Sequence, residues 1–350
     1  MIQYQLKLRL KTKQEEELNS WLFMLTGVWN FAVRKIELDA KDNIYYTPKG
    51  FQNILADHGK KMGMPSHTVQ GVLSTAYTAW QRCFKKLGGK PRLKGHRNKL
   101  NSVPFPDPIR RPEGNYIKLP GLGLIRFHKQ ELPEGKIKCG RIVKRASGWH
   151  LCLFIDAQAK PIPRLNNGAI GIDPGFKDLI AMSNGEKTKH PREYEALAKR
   201  LAQAQRGKDK KLTERLHERI SNQRKNRNHK LSRDLVANNT FIAFSKDNIK
   251  GIANKFGKSV TSSSHAQLRS MIAYKSTTSG TQYIEVASKN STRICSSCGS
   301  LTGPKGWVGL KVRHWQCGCG AENDRDVNAA INTLNVALGI SVEAGVCHVG

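Results

Sequence analysis

Two close pairs of cysteines, Cys295-Ser296-Ser297-Cys298 and Cys317-Gly318-Cys319, stand eighteen residues apart near the end of this 350-residue chain. Thiolates at such spacing close a tetrahedral metal site, most often zinc, and a short segment held this way folds with little apolar core of its own. The first pair has the usual C-x-x-C spacing and the second is one residue tighter. The expectation is a structural zinc knuckle with Cys295, Cys298, Cys317 and Cys319 as ligands and His314 as a substitute. The competing reading is a compact, metal-free loop. Directly after it, Asn323-Asp324-Arg325-Asp326-Val327-Asn328-Ala329-Ala330 opens an apolar-periodic helix through Ile331, Leu334 and Leu338. Asp326 falls in its first turn, where a carboxylate serves either the helix dipole or a site.

The charge balance narrows the partner. Fifty-nine Lys and Arg against 27 Asp and Glu give a formal net charge of +32, far more than solubility requires, and such an excess suits a polyphosphate. Nucleic acid is the expected partner, with a merely basic surface or a ribosome-associated role as the alternatives. Hydrophobic residues make up 38% of the chain, enough for a globular protein with one large core or two to three smaller ones. No apolar run approaches the roughly 18 residues a membrane span needs, and Met1-Ile2-Gln3 begins a strand pattern instead of a secretory leader. A cytoplasmic, nucleoid-associated protein is therefore expected. In that reducing compartment the scattered Cys83, Cys139, Cys152 and Cys347 are expected to be buried thiols.

The N-terminal half reads as strand, helices, strands. Ile2, Tyr4, Leu6, Leu8 and Leu10 alternate with Gln3, Gln5, Lys7 and Arg9, the period of a half-buried strand. Thr12 and Glu15 form a capping-box pattern for a helix burying Leu18, Trp21, Leu22, Leu25, Trp29 and Val33. A second helix carries Val69, Leu73, Ala76, Tyr77, Trp80, Phe84 and Leu87 at three- and four-residue spacing, with Gly88-Gly89 as its stop. These aromatics read as core in preference to base-stacking platforms. A basic linker from Lys90 to Lys99 follows, then short strands at Tyr116–Leu119, Leu124–Phe127, Ile137–Lys144 and Trp149–Ile155.

Pro161, Pro163 and Asn166-Asn167-Gly168 mark a boundary near residues 160–167. Beyond it, Ala169 to Gly175 is an apolar strand ending in Asp173 and a tight turn, and Leu179–Met182 is the returning strand. Strand, Asp, glycine turn, strand suits the first metal ligand of an RNase H-like domain, equally the phosphate turn of an actin-like ATPase or sugar kinase, and an Asp there can also be a simple turn former. From Lys199 to Arg233 thirteen Lys and Arg meet three acidic residues, around a seam of Leu212, Leu216, Ile220 and Leu231. A solvated helical pair is the plain reading, yet like charges at this density weaken a helix by roughly 0.2–0.5 kcal/mol per pair and are better explained by phosphates. The next strand, Thr240–Ser245, runs into Lys246-Asp247-Asn248-Ile249-Lys250-Gly251, and Gln282–Val286 is a further strand after a helix opening at Ser262-Ser263-Ser264-His265.

Taken together, the cysteine pairs, the Asp-Arg-Asp-Val-Asn-Ala-Ala block, the Asp173 turn and the Asn248-Ile249-Lys250-Gly251 run resemble the TnpB family, transposon-encoded RNA-guided DNA nucleases related to type V CRISPR effectors. The resemblance implies an α/β plus β-barrel architecture: a wedge β-barrel (1–12 and 90–160), a helical recognition insertion (13–89), a RuvC (RNase H-like) domain (161–290 and 321–338), a zinc-ribbon-like insertion (291–320) and a tail (339–350). It implies guide RNA and double-stranded target DNA as partners, with Lys199, Arg200, Arg206, Lys210, Lys211, Arg215, Arg219, Arg224, Lys225, Arg227, Lys230 and Arg233, and Lys90, Arg92, Lys94 and Arg97 in the linker, as nucleic-acid contacts. Asp173 and Asp326 then occupy two of the family's three acidic positions.

The middle position departs from the pattern. Anchored on Asn248-Ile249-Lys250-Gly251, Ser245 stands where the family has a glutamate, and Lys246 where it has an acidic neighbour. Paired Mg²⁺ ions held roughly 3.5–4 Å apart need several carboxylates, which a neutral hydroxyl does not supply. Asp247, two residues on, is the alternative ligand. The chain is therefore expected to resemble the nuclease-dead, TnpB-derived repressors, with Mg²⁺ relevant only if Asp247 restores an active RNA-guided endonuclease. An RNA-independent DNA-binding protein is the further alternative.

Overall fold

The computed structural model describes residues 1–95, 98–190, 192–246, 257, 263–287, 289–305, 309 and 311–340. The chain divides into two compact units, Met1–Ala159 and Lys160–Gly350. Among the described residues no helix is long and apolar enough to cross a membrane.

The first unit begins with β1 (Ile2–Arg9), whose alternation buries Leu6 and Leu8 and leaves Gln3, Lys7 and Arg9 at or near the surface. Four helices follow before the chain returns to strands: α1 (Thr12–Lys41), α2 (Pro48–Asn53), α3 (His58–Lys61) and α4 (Ser66–Phe84). Helix α1 buries Leu18, Trp21, Leu22, Leu25, Trp29 and Val33 along one face, as its periodicity predicts. Its start differs by one residue from the capping-box expectation. Lys11 is the N-cap, and its N–H is met by Gln14 Oε1 at 3.1 Å, so Thr12 is already helical. Helix α4 ends at Phe84, before the glycine pair, leaving Phe84 and Leu87 exposed instead of buried.

Strands β2 (Ser102–Phe105), β3 (Tyr116–Leu119), β4 (Gly123–Phe127), β5 (Lys136–Arg145) and β6 (Gly148–Asp156) complete a six-stranded antiparallel sheet in the order β2-β5-β6-β1-β4-β3. The resemblance implies a wedge β-barrel here; among the described residues no pairing joins β2 to β3. Strand β2, which no sequence period announces, is four residues long and contains Pro104, which lacks a ladder donor and is confined to an edge. The basic linker is a strap fastened along α1. Trp29 Nε1 donates to Arg92 O at 3.0 Å, Asn30 exchanges bonds with Lys94 N and O at 2.7 and 2.8 Å, and Leu100 N donates to Thr26 Oγ1 at 3.2 Å.

The second unit holds a five-stranded sheet in the order β11-β10-β7-β8-β9. Strands β7 (Gly168–Pro174), β8 (Asp178–Met182) and β9 (Lys187–Lys189) form an antiparallel meander, while β10 (Asn239–Lys246) and β11 (Gln282–Ala287) add parallel to β7. Between β9 and β10 run α5 (Glu193–Arg206) and α6 (Lys210–Asn238), the basic helical pair, with Leu216 and Ile220 buried in its seam and Leu212 and Leu231 half-buried. Asp209 caps α6, accepting from Leu212 N at 2.9 Å. Helix α7 (His265–Ser279) links β10 to β11, and with α6 it covers the face carrying Ile170, Ile172, Ile242 and Phe244.

The other face is lined by small residues and covered by α8 (Arg325–Leu338). A Cβ added at Gly171 would sit 2.1 Å from the Ala330 carbonyl oxygen and 2.9 Å from Leu334, so glycine is what lets this helix reach the sheet. Gly171→Ala is expected to destabilise the second unit by about 1–3 kcal/mol through overpacking, read as a lowered urea midpoint; an unchanged midpoint would show that α8 can shift freely.

Candidate carboxylate site and cysteine cluster

Side-chain alternation places Asp173 and Ser245 on the face covered by α8, whose first turn carries Asp326. On β7, Gly171 faces α8, so Asp173, two residues on, shares its side. On β10, Ile242 and Phe244 belong to the opposite core, which turns Ala243 and Ser245 toward α8. The last paired residues of the two strands are Ile172 and Phe244, and Asp173 and Ser245 are the next residue of each. Asp326 lies one helical turn before Ala330. The close approach at Gly171 fixes Ala330 and Leu334 of α8 against β7.

Asp173 is 9% exposed and Ser245 only 1%, and the Ser245 hydroxyl has no hydrogen-bond partner among the described residues. Asp326 is gripped by Arg313, whose Nη1 lies 3.0 and 3.3 Å from its two oxygens, so its charge is already compensated by a guanidinium. The helix cap is a different acid. Asp324 Oδ1 accepts from Asp326 N at 3.1 Å and Val327 N at 3.0 Å, while Lys187 donates to Oδ2 at 2.6 Å. Burial opposes ionisation of Asp324, but the Lys187 ammonium and those two N–H groups outweigh it and hold its carboxyl below the usual range. Lys246 lies away from the face shared by Asp173 and Ser245. It falls on the face of Phe244 and pairs with Glu285 of β11 at 3.8 Å. Asp247 lies outside the described residues.

The turn after Asp173 is fastened from α7, a role that nothing in the local sequence pattern of His265 announces. His265 Nε2 bonds the Leu179 carbonyl at 2.9 Å, and its ring packs on Phe176 at 5.7 Å between centroids. Burial pushes this imidazole down to about 4 from its ordinary 6.5.

The four cysteines converge. Their sulfurs all lie within 4.8 Å of one another, with Cys295–Cys319 at 3.9 Å and Cys298–Cys317 at 3.6 Å. A zinc–thiolate bond of about 2.3 Å implies a tetrahedron edge of about 3.8 Å, so the sulfurs already stand at the spacing such an ion imposes. Each pair sits in a tight turn: Gly299 N donates to Cys295 O and Gly320 N to Cys317 O, both at 2.9 Å. Gly299 and Gly320 have φ of +75° and +85°, the left-handed region that glycine enters without a Cβ penalty. The second pair closes a hairpin of β12 (His314–Gln316) and β13 (Glu322–Asp324). His314 is 80% exposed and leans toward Asp324, apart from the sulfurs.

Burial would raise the Cys295 thiol, but bonds from the Ser297 and Cys298 backbone and the Asn323 amide hold it below its usual range. The Ser300 hydroxyl and N–H lower Cys298, and the Cys319 N–H with the Thr302 hydroxyl lower Cys317. Cys319 accepts the Ala321 N–H, which favours its thiolate, yet the neighbouring thiols push it up to about 12. Four sulfurs this close cannot all carry charge without a cation among them. The donor set fits a tetrahedral, thiolate-preferring metal ion.

Of the expected nucleic-acid contacts, Lys199, Arg200, Arg206, Lys210, Lys211, Arg215, Arg219, Lys225, Lys230 and Arg233 are exposed on α5 and α6, and Arg224 is half-buried. Arg227 has an internal role. It holds Glu193 through both carboxylate oxygens at 2.8 and 2.9 Å and donates to Ser263 O and Ser264 Oγ. In the strap, Arg92 is exposed, Lys90 pairs with Glu37 at 2.6 Å, and the Lys94 ammonium lies 5.9 Å from the Trp29 ring. Arg97 lies outside the described residues. Of the scattered thiols, Cys152 is buried, Cys83 and Cys139 are half-buried, and Cys347 lies outside the described residues.

His265 yields a pH prediction. Between pH 6.5 and about 4 the unfolded chain takes up a proton that the folded one refuses, so the stability of the second unit falls as pH drops through that window and is flat above it. The shift from 6.5 to about 4 corresponds to roughly 3 kcal/mol. His265→Gln is expected to remove that part of the slope in urea titrations at pH 7.5 and 4.5; equal slopes in both proteins would count against it.

Two family models match adjacent stretches of the chain. Residues 153–254, which include Asp173 and Ser245, match the OrfB_IS605 "Probable transposase" family, and residues 265–333, which include the cysteines and Asp326, match the Cas12f1-like TNB domain. A "Putative RNA-guided DNA endonuclease" of Streptomyces pristinaespiralis is 29% identical over 293 residues, 78% of this chain and 72% of that protein. The Escherichia coli K12 protein named "Putative RNA-guided DNA endonuclease InsQ" is 23% identical over 67% of this chain and 66% of its own length. Among solved structures, a Cas12f1–sgRNA–target DNA complex aligns over 96% of this chain and 99% of that one at 18% identity, with a TM-score of 0.37 that is too low to bear on the fold. Both family models and the curated relatives thus mark this chain as similar to TnpB and Cas12f1-like proteins.

Proposed function

We propose that this protein is directed to DNA by a guide RNA and occupies its target without cutting it, repressing transcription next to a short motif read by the protein itself. The observation that carries this is Ser245, a neutral side chain, 1% exposed, beside Asp173. A two-ion phosphodiesterase site needs bridging carboxylates. The described residues supply Asp173 and an Asp326 already paired with Arg313. This donor set does not fit a pair of divalent ions. RNA-guided binding itself is supported by the names of the curated relatives and by the exposed cations of α5 and α6, which suit the backbone of an RNA or an RNA–DNA hybrid. The cysteine cluster is read as a structural zinc site.

The second reading, an active RNA-guided endonuclease, is favoured by the names of the curated relatives. It requires Asp247 to act as the middle ligand. Incubation with guide RNA, matched duplex and Mg²⁺ separates the two. The expected result is a retarded but intact duplex with the natural chain, and Mg²⁺-dependent products after Ser245→Glu. Cutting by the natural chain would establish the endonuclease, and no products from either protein would refute the single-residue account of the lesion.

The basic helices divide into two kinds of cation. Replacing Arg215 and Arg219 by Gln should weaken RNA binding and flatten the log K against log salt slope by about 0.7–0.9 for each phosphate no longer neutralised, with thermal stability unchanged. Arg227→Gln instead leaves Glu193 buried and unpaired, a loss of about 3–5 kcal/mol, seen as a lowered unfolding midpoint. Equivalent behaviour of the two variants would contradict the division.

A further inference from the structure

The structure assigns Asn328 and Asn332 as positioning residues that transmit the state of the cysteine cluster to the Asp326 end of α8; this rests on reading the cluster as a metal site. The two asparagines stand one turn apart on α8, 2% and 6% exposed. Both reach the same two acceptors in the segment that leads into the first cysteine. Asn328 Nδ2 donates to Ser291 O at 3.2 Å and Ile294 O at 2.7 Å, and Asn332 Nδ2 donates to the same oxygens at 2.8 and 2.7 Å. Asn328 Oδ1 accepts from Ser296 N at 2.8 Å.

Two primary amides offer four N–H donors, and two carbonyl oxygens offer four lone pairs. The clamp therefore closes on itself, and these bonds engage every amide hydrogen of the two side chains. Its far side is the stretch Ser291–Ser296, which contains Cys295, itself 0% exposed. Its near side is the first two turns of α8, which carry Asp326 and dock at Gly171. A metal bound by the four sulfurs fixes Cys295, hence the two carbonyls, hence both amides. Releasing it lets Ser291–Ser296 move, and buried amides left without acceptors favour opening of the helix that bears them. Among the described residues neither asparagine bonds a cysteine sulfur, so they act through the main chain of Ser291, Ile294 and, for Asn328, Ser296.

Hydrogen–deuterium exchange over residues 325–334 tests this, on the full-length protein with its zinc content measured and again after chelation. In the natural chain, chelation is expected to speed exchange in α8 by about ten- to a hundredfold, the effect of breaking a small number of buried bonds. In Asn332→Leu, and more so in the double variant Asn328→Leu/Asn332→Leu, with zinc still bound, exchange in α8 is already raised, and chelation adds less in the first and little in the second. The quantity read is the difference between loaded and chelated states, which a purely structural role for Asn332 would leave unchanged. An α8 that stays protected after chelation in the natural chain overturns the coupling. So does an undiminished response in either variant, because the link then runs through the β12–β13 hairpin. Protein that binds no zinc at all overturns the metal reading and the coupling with it, whereas loaded protein without the response overturns the coupling alone.

Discussion

The second unit depends on how near a helix backbone comes to a strand. With glycine at position 171, the Ala330 carbonyl lies where any side chain would have its first carbon, and the neighbouring small residues, Ala243, Ala329 and Ala330, are all fully buried. Backbone-to-backbone packing of this kind leaves little freedom of rotation or slide. It fixes the helix that carries Asp326 on the sheet face that Asp173 shares. The same docking brings Asn328 and Asn332 to the segment that feeds the cysteine cluster, so one packing contact orders both centres.

A chain this basic might be expected to show all its cations to solvent, yet several sit inside. Arg164 donates to Val236 O, Asn239 O, Thr281 Oγ1 and Ser279 O, joining the start of the second unit to the ends of α6 and α7. Lys275 is buried between α6 and α7, with its ammonium on His229 O and Ser232 Oγ at 2.6 Å each, and burial pushes it down to about 8. Arg227 completes the set. Backbone carbonyls and one carboxylate, not phosphates, neutralise these groups. The charge count of the second unit therefore overstates the surface open to a nucleic acid.

Elements with a strong period were legible from sequence alone: β1, β3 to β8, β10 and β11 appear within a residue or two of their expected ends, α1 starts within one residue of its expected start, and the α5–α6 pair extends five to six residues beyond the basic stretch on either side. What escaped was set by distant contacts. Strand β2 carries a proline and pairs only at an edge; β9 is three residues long and has no pattern to read. Helix α4 stops at Phe84, short of the local signal at Gly88-Gly89, because among the described residues nothing packs on those after Phe84. At the site, the cysteine spacing announced its own convergence, since four sulfurs have one dominant use. The roles of His265, Arg313, Asn328 and Asn332 were invisible, because each is defined by a partner far away in the chain or across a turn, and the residue types alone are common at surfaces and in helices.

The strap from Lys90 to Leu100 is tied to α1 chiefly by main-chain atoms: the carbonyl of Arg92, the N–H and carbonyl of Lys94 and the N–H of Leu100. Fastening and display are thus carried by different parts of the same residues. The number and kind of cations shown along this ribbon can drift between relatives, retuning how strongly it attracts a polyanion, while the Asn30 and Trp29 hooks keep its path unchanged.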